Sequence, residues 1–108
     1  MSKKRPRTKS DRTTRREVER TGVKLAEARL DLARLEPGGS PERPIELSSA
    51  SVVEPHAAGL ACAACGGTTR VLEHTARTAP PLRVAHVGCT RCGVERDVYF
   101  RLVQPLPN

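Results

Sequence analysis

The chain has 108 residues, 19 Lys and Arg against 12 Asp and Glu, a formal charge of +7 and a sequence pI near 9.9. That length holds one small domain with some margin and excludes a second ordinary one. With one Phe, one Tyr and no Trp, aromatic side chains cannot fill a large core. No apolar stretch reaches the length of a signal peptide or a membrane span, so the expectation is a soluble, cytoplasmic protein without a membrane partner.

Charge is distributed unevenly. Residues 1–36 carry 12 Lys/Arg and 6 Asp/Glu, whereas residues 37–61 carry Arg43 against Glu42, Glu46 and Glu54. Lys3, Lys4, Arg5, Arg7, Lys9, Arg12, Arg15, Arg16 and Arg20 sit among Ser, Thr and Pro with no apolar residue between Met1 and Val18. Residues 1–13 therefore read as a disordered basic tail, because nothing there repays the entropy of ordering. Such a run is the electrostatic footprint of nucleic-acid contact, since each cation can neutralise a phosphate and release counterions; a solubilising tail accounts for the same composition.

A helix is predicted over 14–36. Thr14-Arg-Arg-Glu17 fits a capping box at its start, good helix formers follow, and Glu36-Pro37-Gly38-Gly39 ends it. Val18, Thr21, Leu25, Ala28, Leu32 and Leu35 form an a/d seam of three heptads, and Val23, Ala26, Leu30 and Ala33 a second, narrower stripe. Lys24, Glu27, Asp31 and Arg34 make the charged ridge. Two apolar stripes ask for two covers: the protein's own sheet for one, and either a partner helix, a second copy or merely solvent for the other. Residues 37–59, rich in Pro, Gly and Ser, read as a linker in which 45–53 could add an edge strand before Pro55 stops it. His56 is expected to be exposed there.

The four cysteines form two C-x-x-C-G units, Cys62-Ala-Ala-Cys65-Gly66 and Cys89-Thr-Arg-Cys92-Gly93. Four soft thiolates suit one tetrahedral Zn²⁺, and a glycine after each pair lets the chain turn left-handed so that backbone N–H groups point at the sulfurs. Iron in a rubredoxin-like site and redox thiols are the alternatives; the first usually comes with several aromatics and the second with a single pair beside a βαβ pattern. Residues 69–76, 82–87 and 94–102 alternate or are β-rich and read as three strands, the first two joined by Arg77-Thr-Ala-Pro-Pro81.

Two C-x-x-C-G knuckles bracketing hairpin sequence resemble the zinc-ribbon family over about residues 60–104. The resemblance implies a small three-stranded antiparallel sheet clamped by one structural zinc ion on Cys62, Cys65, Cys89 and Cys92. It covers nothing before residue 60, and ribbons of this kind serve in many assemblies, those of transcription and translation among them.

Catalysis is not expected. Four cysteines close a zinc shell, and no Ser-His-Asp order, P-loop or dinucleotide fingerprint is present. His74 and His86 could fall beside one another on adjacent strands, but no carboxylate is spaced to serve them as a catalytic partner. Tyr99 and Phe100 point to opposite faces of a strand, too few per face for a base-stacking platform. The sequence thus reads as a small α+β, non-enzymatic protein with one structural Zn²⁺ and no small-molecule substrate, contacting nucleic acid through its basic N-terminal segment. A protein-interaction module, or a subunit using its helix or ribbon face, is the alternative.

Overall fold

The computed structural model describes residues 10–104. Helix α1 spans Asp11–Ala33, strand β1 Ile45–Leu47, a 3₁₀ turn Ala50–Val52, helix α2 Val53–Ala58, and strands β2, β3 and β4 Thr69–Thr78, Pro81–Cys89 and Glu95–Leu102. The fold is small α+β as expected, but the sheet has four strands rather than three, in the order β1-β4-β3-β2. β2, β3 and β4 pair antiparallel, and β1 lies parallel to β4 with Ile45 opposite Phe100. The fourth is the edge strand that 45–53 could add, confined to Ile45–Leu47; local alternation in residues 94–102 does not show that it joins β4 or runs parallel to it. Arg101 and Glu46, which face each other in that register, form an ion pair across it.

α1 starts one turn earlier than the capping box suggests. Ser10 has extended backbone (φ −63°, ψ 152°), and its hydroxyl accepts from the Thr13 amide at 3.2 Å. Thr14 lies inside the helix, its amide donating to the Ser10 carbonyl at 3.0 Å. Ser10-Asp11 offers a cap and an acid in the first turn before Thr14 can serve as the cap. The tail expected over 1–13 is accordingly helical from Asp11. Lys3, Lys4, Arg5, Arg7 and Lys9 lie outside the described residues. At its other end α1 stops at Ala33 rather than 36, and the Arg43 guanidinium donates to the Leu35 carbonyl at 2.7 Å.

The expected linker is the largest correction. Only Ile45–Leu47 of its apolar segment is strand; Val53–Ala58 is a helix. Pro55 does not stop it, because its third helical position belongs to the first turn, where an N–H would lack an intrahelical acceptor anyway. Val53 and Ala57, one turn apart, are fully buried and pack with Ala85 and Val87 of β3 and Val98 and Phe100 of β4. Ile45, Leu47, Leu60 and Val71 close the margins of this core. His56, far from being a loose linker residue, sets its ring edge-on to Phe100, with centroids 5.7 Å apart. The buried Thr69 hydroxyl donates to the Leu60 carbonyl at 2.6 Å, tying the start of β2 to the turn after α2.

The molecule is elongated. Its Cα radius of gyration is 20.5 Å, against about 13 Å for a compact domain of a hundred residues. Among the described residues no helix is long and apolar enough to cross a membrane.

Phe100 is the largest fully buried side chain and touches both α2 and the sheet. Phe100→Ala is expected to cost about 3–5 kcal/mol of unfolding free energy. Denaturant unfolding measures it, and a loss well under that range would show that the α2 face is not the folding core.

Candidate metal centre

Each cysteine pair sits on a tight loop where a strand begins or ends. Cys62 and Cys65 precede β2, Cys89 is the last residue of β3, and Cys92 lies just before β4. The two loops are built alike. The Gly66 amide donates to the Cys62 carbonyl at 2.8 Å and the Gly93 amide to the Cys89 carbonyl at 3.2 Å. Both glycines take positive φ, +77° and +78°, where a β-carbon would be strained. The Cys62 amide then donates to Gly67 O and the Cys89 amide to Val94 O, each at 2.9 Å. Thr90 joins the loops, its amide and its hydroxyl both donating to the Thr68 carbonyl at 2.9 and 3.0 Å.

The result is one cluster: the four Sγ atoms lie within 4.8 Å of one another. Across the two loops, Cys62 and Cys92 sulfurs are 3.6 Å apart and those of Cys65 and Cys89 3.5 Å. These are not disulfides, whose S–S bond is about 2.05 Å. A tetrahedron with metal–sulfur bonds of about 2.3 Å has edges of about 3.8 Å, close to what is seen. Backbone amides face the sulfurs as that reading requires: Gly67 N–H donates to Cys65 Sγ at 3.4 Å, and Arg91 and Cys92 N–H to Cys89 Sγ at 3.3 Å.

Electrostatics at the cluster pull in two directions. Hydrogen bonds from the Cys92 and Arg91 amides outweigh burial and hold the Cys89 thiol down to about 6. At Cys92 the Val94 amide favours the thiolate, but burial and the three neighbouring sulfurs prevail and push it up to about 12. Four thiolates in this space call for a counter-charge, which a divalent cation would supply. The donor set therefore fits a metal ion. Ala26 and Leu30 of α1, with Val94, pack on the cluster formed by Cys62, Ala64 and Cys89.

Two contributors to the site have no obvious motif. Arg29 donates to the Ala64 carbonyl at 3.2 Å and so fastens α1 to the first knuckle. Gly67 is needed for a different reason than Gly66: a β-carbon on it would stand 3.2 Å from both Cys65 and Cys89 sulfurs. The paired glycines after Cys65 were a visible signal for it, whereas nothing local marks Arg29.

The predicted basic residues that are described, Arg12, Arg15, Arg16 and Arg20, are all exposed on α1 upstream of the first residue that touches the knuckles. The two strand histidines are not neighbours. His86 lies opposite Glu73 and Asp97, and His74 opposite Ala85 on the other face. The β-bulge after Val71 contributes to this register, which local alternation does not show. His74 instead approaches Glu54 of α2 at 3.9 Å. His86 donates from Nδ1 to Asp97 at 2.7 Å and from Nε2 to Glu95 at 3.1 Å.

Two outcomes are expected here. Replacing Cys65 with Ser should abolish stoichiometric metal retention, measured by elemental analysis, and with it the circular-dichroism strand signal; a native-like spectrum without metal would overturn a structural role for the cluster. For His86, the Asp97 hydrogen bond, joined by Glu95 and only partly opposed by desolvation, raises the pKa above its ordinary 6.5. Its contribution to stability is thus complete below pH 6.5 and disappears as pH rises through the raised value. NMR titration of the ring should show the raised midpoint, and Asp97→Asn should bring it down. Comparison with protein-family models, with curated proteins and with solved structures finds no match.

Proposed function

We propose that this protein binds nucleic acid without reading its sequence, through a basic segment held out from a zinc-clamped base. One Zn²⁺ sits on Cys62, Cys65, Cys89 and Cys92 as a closed structural shell, with no open position for chemistry. Four thiolates with amide donors and small aliphatic neighbours suit zinc better than a rubredoxin-like iron site, whose family packs several aromatics about the metal. The protein in this reading is not an enzyme and takes no small-molecule substrate.

The observation that carries the proposal is the division of labour along α1. From Ala26 onward the helix is fixed to the knuckles by Leu30 and the Arg29–Ala64 hydrogen bond, while Arg12, Arg15, Arg16 and Arg20 stand exposed. Arg12, Arg16 and Arg20 recur every four residues and so share one side of the helix. Lys3, Lys4, Arg5, Arg7 and Lys9 precede them, so residues 1–20 hold nine cations against Asp11, Glu17 and Glu19. Cations on a rod and its leading segment can follow a phosphate backbone, a contact that carries no sequence information.

Fluorescence anisotropy with DNA and RNA, duplex and single-stranded, tests this. If about six phosphates are neutralised, log affinity for duplex DNA should fall against log salt with a slope of about −5. Residues 37–108, loaded with metal, serve as the comparison if they fold, and Arg12→Ala/Arg16→Ala/Arg20→Ala in the full chain serves in either case. Binding with a weak salt slope, or binding untouched by the triple substitution, would overturn the proposal.

A further inference from the structure

We infer that α1 pairs with α1 of a second copy of this chain as an antiparallel two-stranded coil, through Val18, Thr21, Leu25, Ala28, Leu32 and the adjoining Leu35. The structure resolves which of the helix's two apolar stripes is used at home. Ala26, Leu30 and the buried Ala33 face the knuckles and sheet. The a/d seam lies roughly a third of a turn round the helix and is left open: Val18 is 67% exposed, Leu25 50%, Leu32 61% and Leu35 63%. Thr21 adds to its apolar character, because its hydroxyl is satisfied by the Glu17 carbonyl at 2.9 Å, which leaves the methyl group for packing.

Among the described residues nothing covers this seam. Residues 1–9 contain no large apolar side chain after Met1, and residues 105–108 offer Leu106 between two prolines. A second copy can cover it, and its orientation follows from size and charge. In a parallel pair like meets like: Leu25 would face Leu25, and Ala28 would face Ala28 across a void. In the antiparallel pair centred between residues 26 and 27, Val18 meets the partner's Leu35, Thr21 the partner's Leu32, and Leu25 the partner's Ala28. Every layer then joins a larger residue to a smaller one, the alternation that fills a helix interface evenly.

Charge selects the same orientation. Flanking the seam, a parallel pair would bring Lys24 to the partner's Arg29 and Asp31 to the partner's Glu36, two repulsive contacts on each side. The antiparallel pair instead sets Lys24 against the partner's Asp31, twice by symmetry, and leaves Gly22 beside the partner's Arg29. Among the described residues Asp31 is tied in the single chain only by an exposed contact with Arg34 at 3.3 Å, which water readily replaces. Arg29 remains on its own knuckle through Ala64, so pairing does not disturb the metal base. Three heptads make a short coil, so the expected state is a concentration-dependent equilibrium between monomer and dimer.

Sedimentation equilibrium of the full-length, metal-loaded protein over a wide concentration range, at low salt and without nucleic acid, tests the inference. Dimer is expected, and Leu25→Lys should return it to monomer with its metal content intact. Lys24→Glu should weaken association roughly tenfold, since two attractive contacts become repulsive, and adding Asp31→Lys should restore it. A monomer at every concentration would overturn the inference, as would a Lys24→Glu chain that associates more tightly, which is the parallel outcome. Because no nucleic acid is present, neither result bears on the binding reading above.

Discussion

Four sulfurs drawn to one point join the two knuckles, the strands that leave them and the C-terminal part of α1. Cys62 and Cys65 sit before β2, Cys89 ends β3 and Cys92 precedes β4, so the cluster fastens three strands at one end of the sheet. The same cluster receives Ala26 and Leu30 of α1. An apolar core this small could not secure all of that by burial alone. Thiolates so close repel one another without a cation, so in the proposed reading folding at this end and metal binding form one equilibrium. The two left-handed glycines, the amide-to-sulfur hydrogen bonds and the Thr90–Thr68 bridge all make that geometry reachable without strain.

Away from the cluster the sheet is finished by ordinary means. One face is covered by a helix of only six residues, whose Val53 and Ala57 reach the two central strands, and the free edge of β4 is taken by β1. The opposite face carries Glu73, His86, Glu95 and Asp97 beside the buried Leu82 and Val84, with the imidazole between two carboxylates. Two faces of one sheet thus respond differently to solution conditions: the α2 face to denaturant and temperature, the His86 face to pH.

The helix shows how little sequence is needed to carry several surfaces. Its C-terminal part has one stripe on the knuckles and another open, and its N-terminal part presents arginines. In the proposed reading these are three separate contacts on one rod: to the protein's own metal base, to a second copy, and to phosphates. Separation around and along the helix allows them to operate together. An antiparallel pair would send the two basic segments to opposite ends of the coil, giving a dimer two phosphate-binding ends rather than one concentrated patch.

Much of this was legible locally. Cys62, Cys65, Cys89 and Cys92 with their glycines announced a cluster, because the spacing that lets two sulfurs converge is a property of four consecutive residues. The strands in 69–102 and the long helix also followed from short-range pattern, as did both apolar stripes. What tertiary structure alone decided involves partners distant in the chain. It made Ile45–Leu47 a parallel edge strand on β4, and folded Val53–Ala58 over the sheet across a proline that reads as a break. It separated His74 from His86 through a bulge, bound Arg29 to Ala64, and chose which stripe of α1 to bury. Sequence pattern reports which side chains share a face; only the packed chain determines what that face meets, because the covering surface comes from residues tens of positions away.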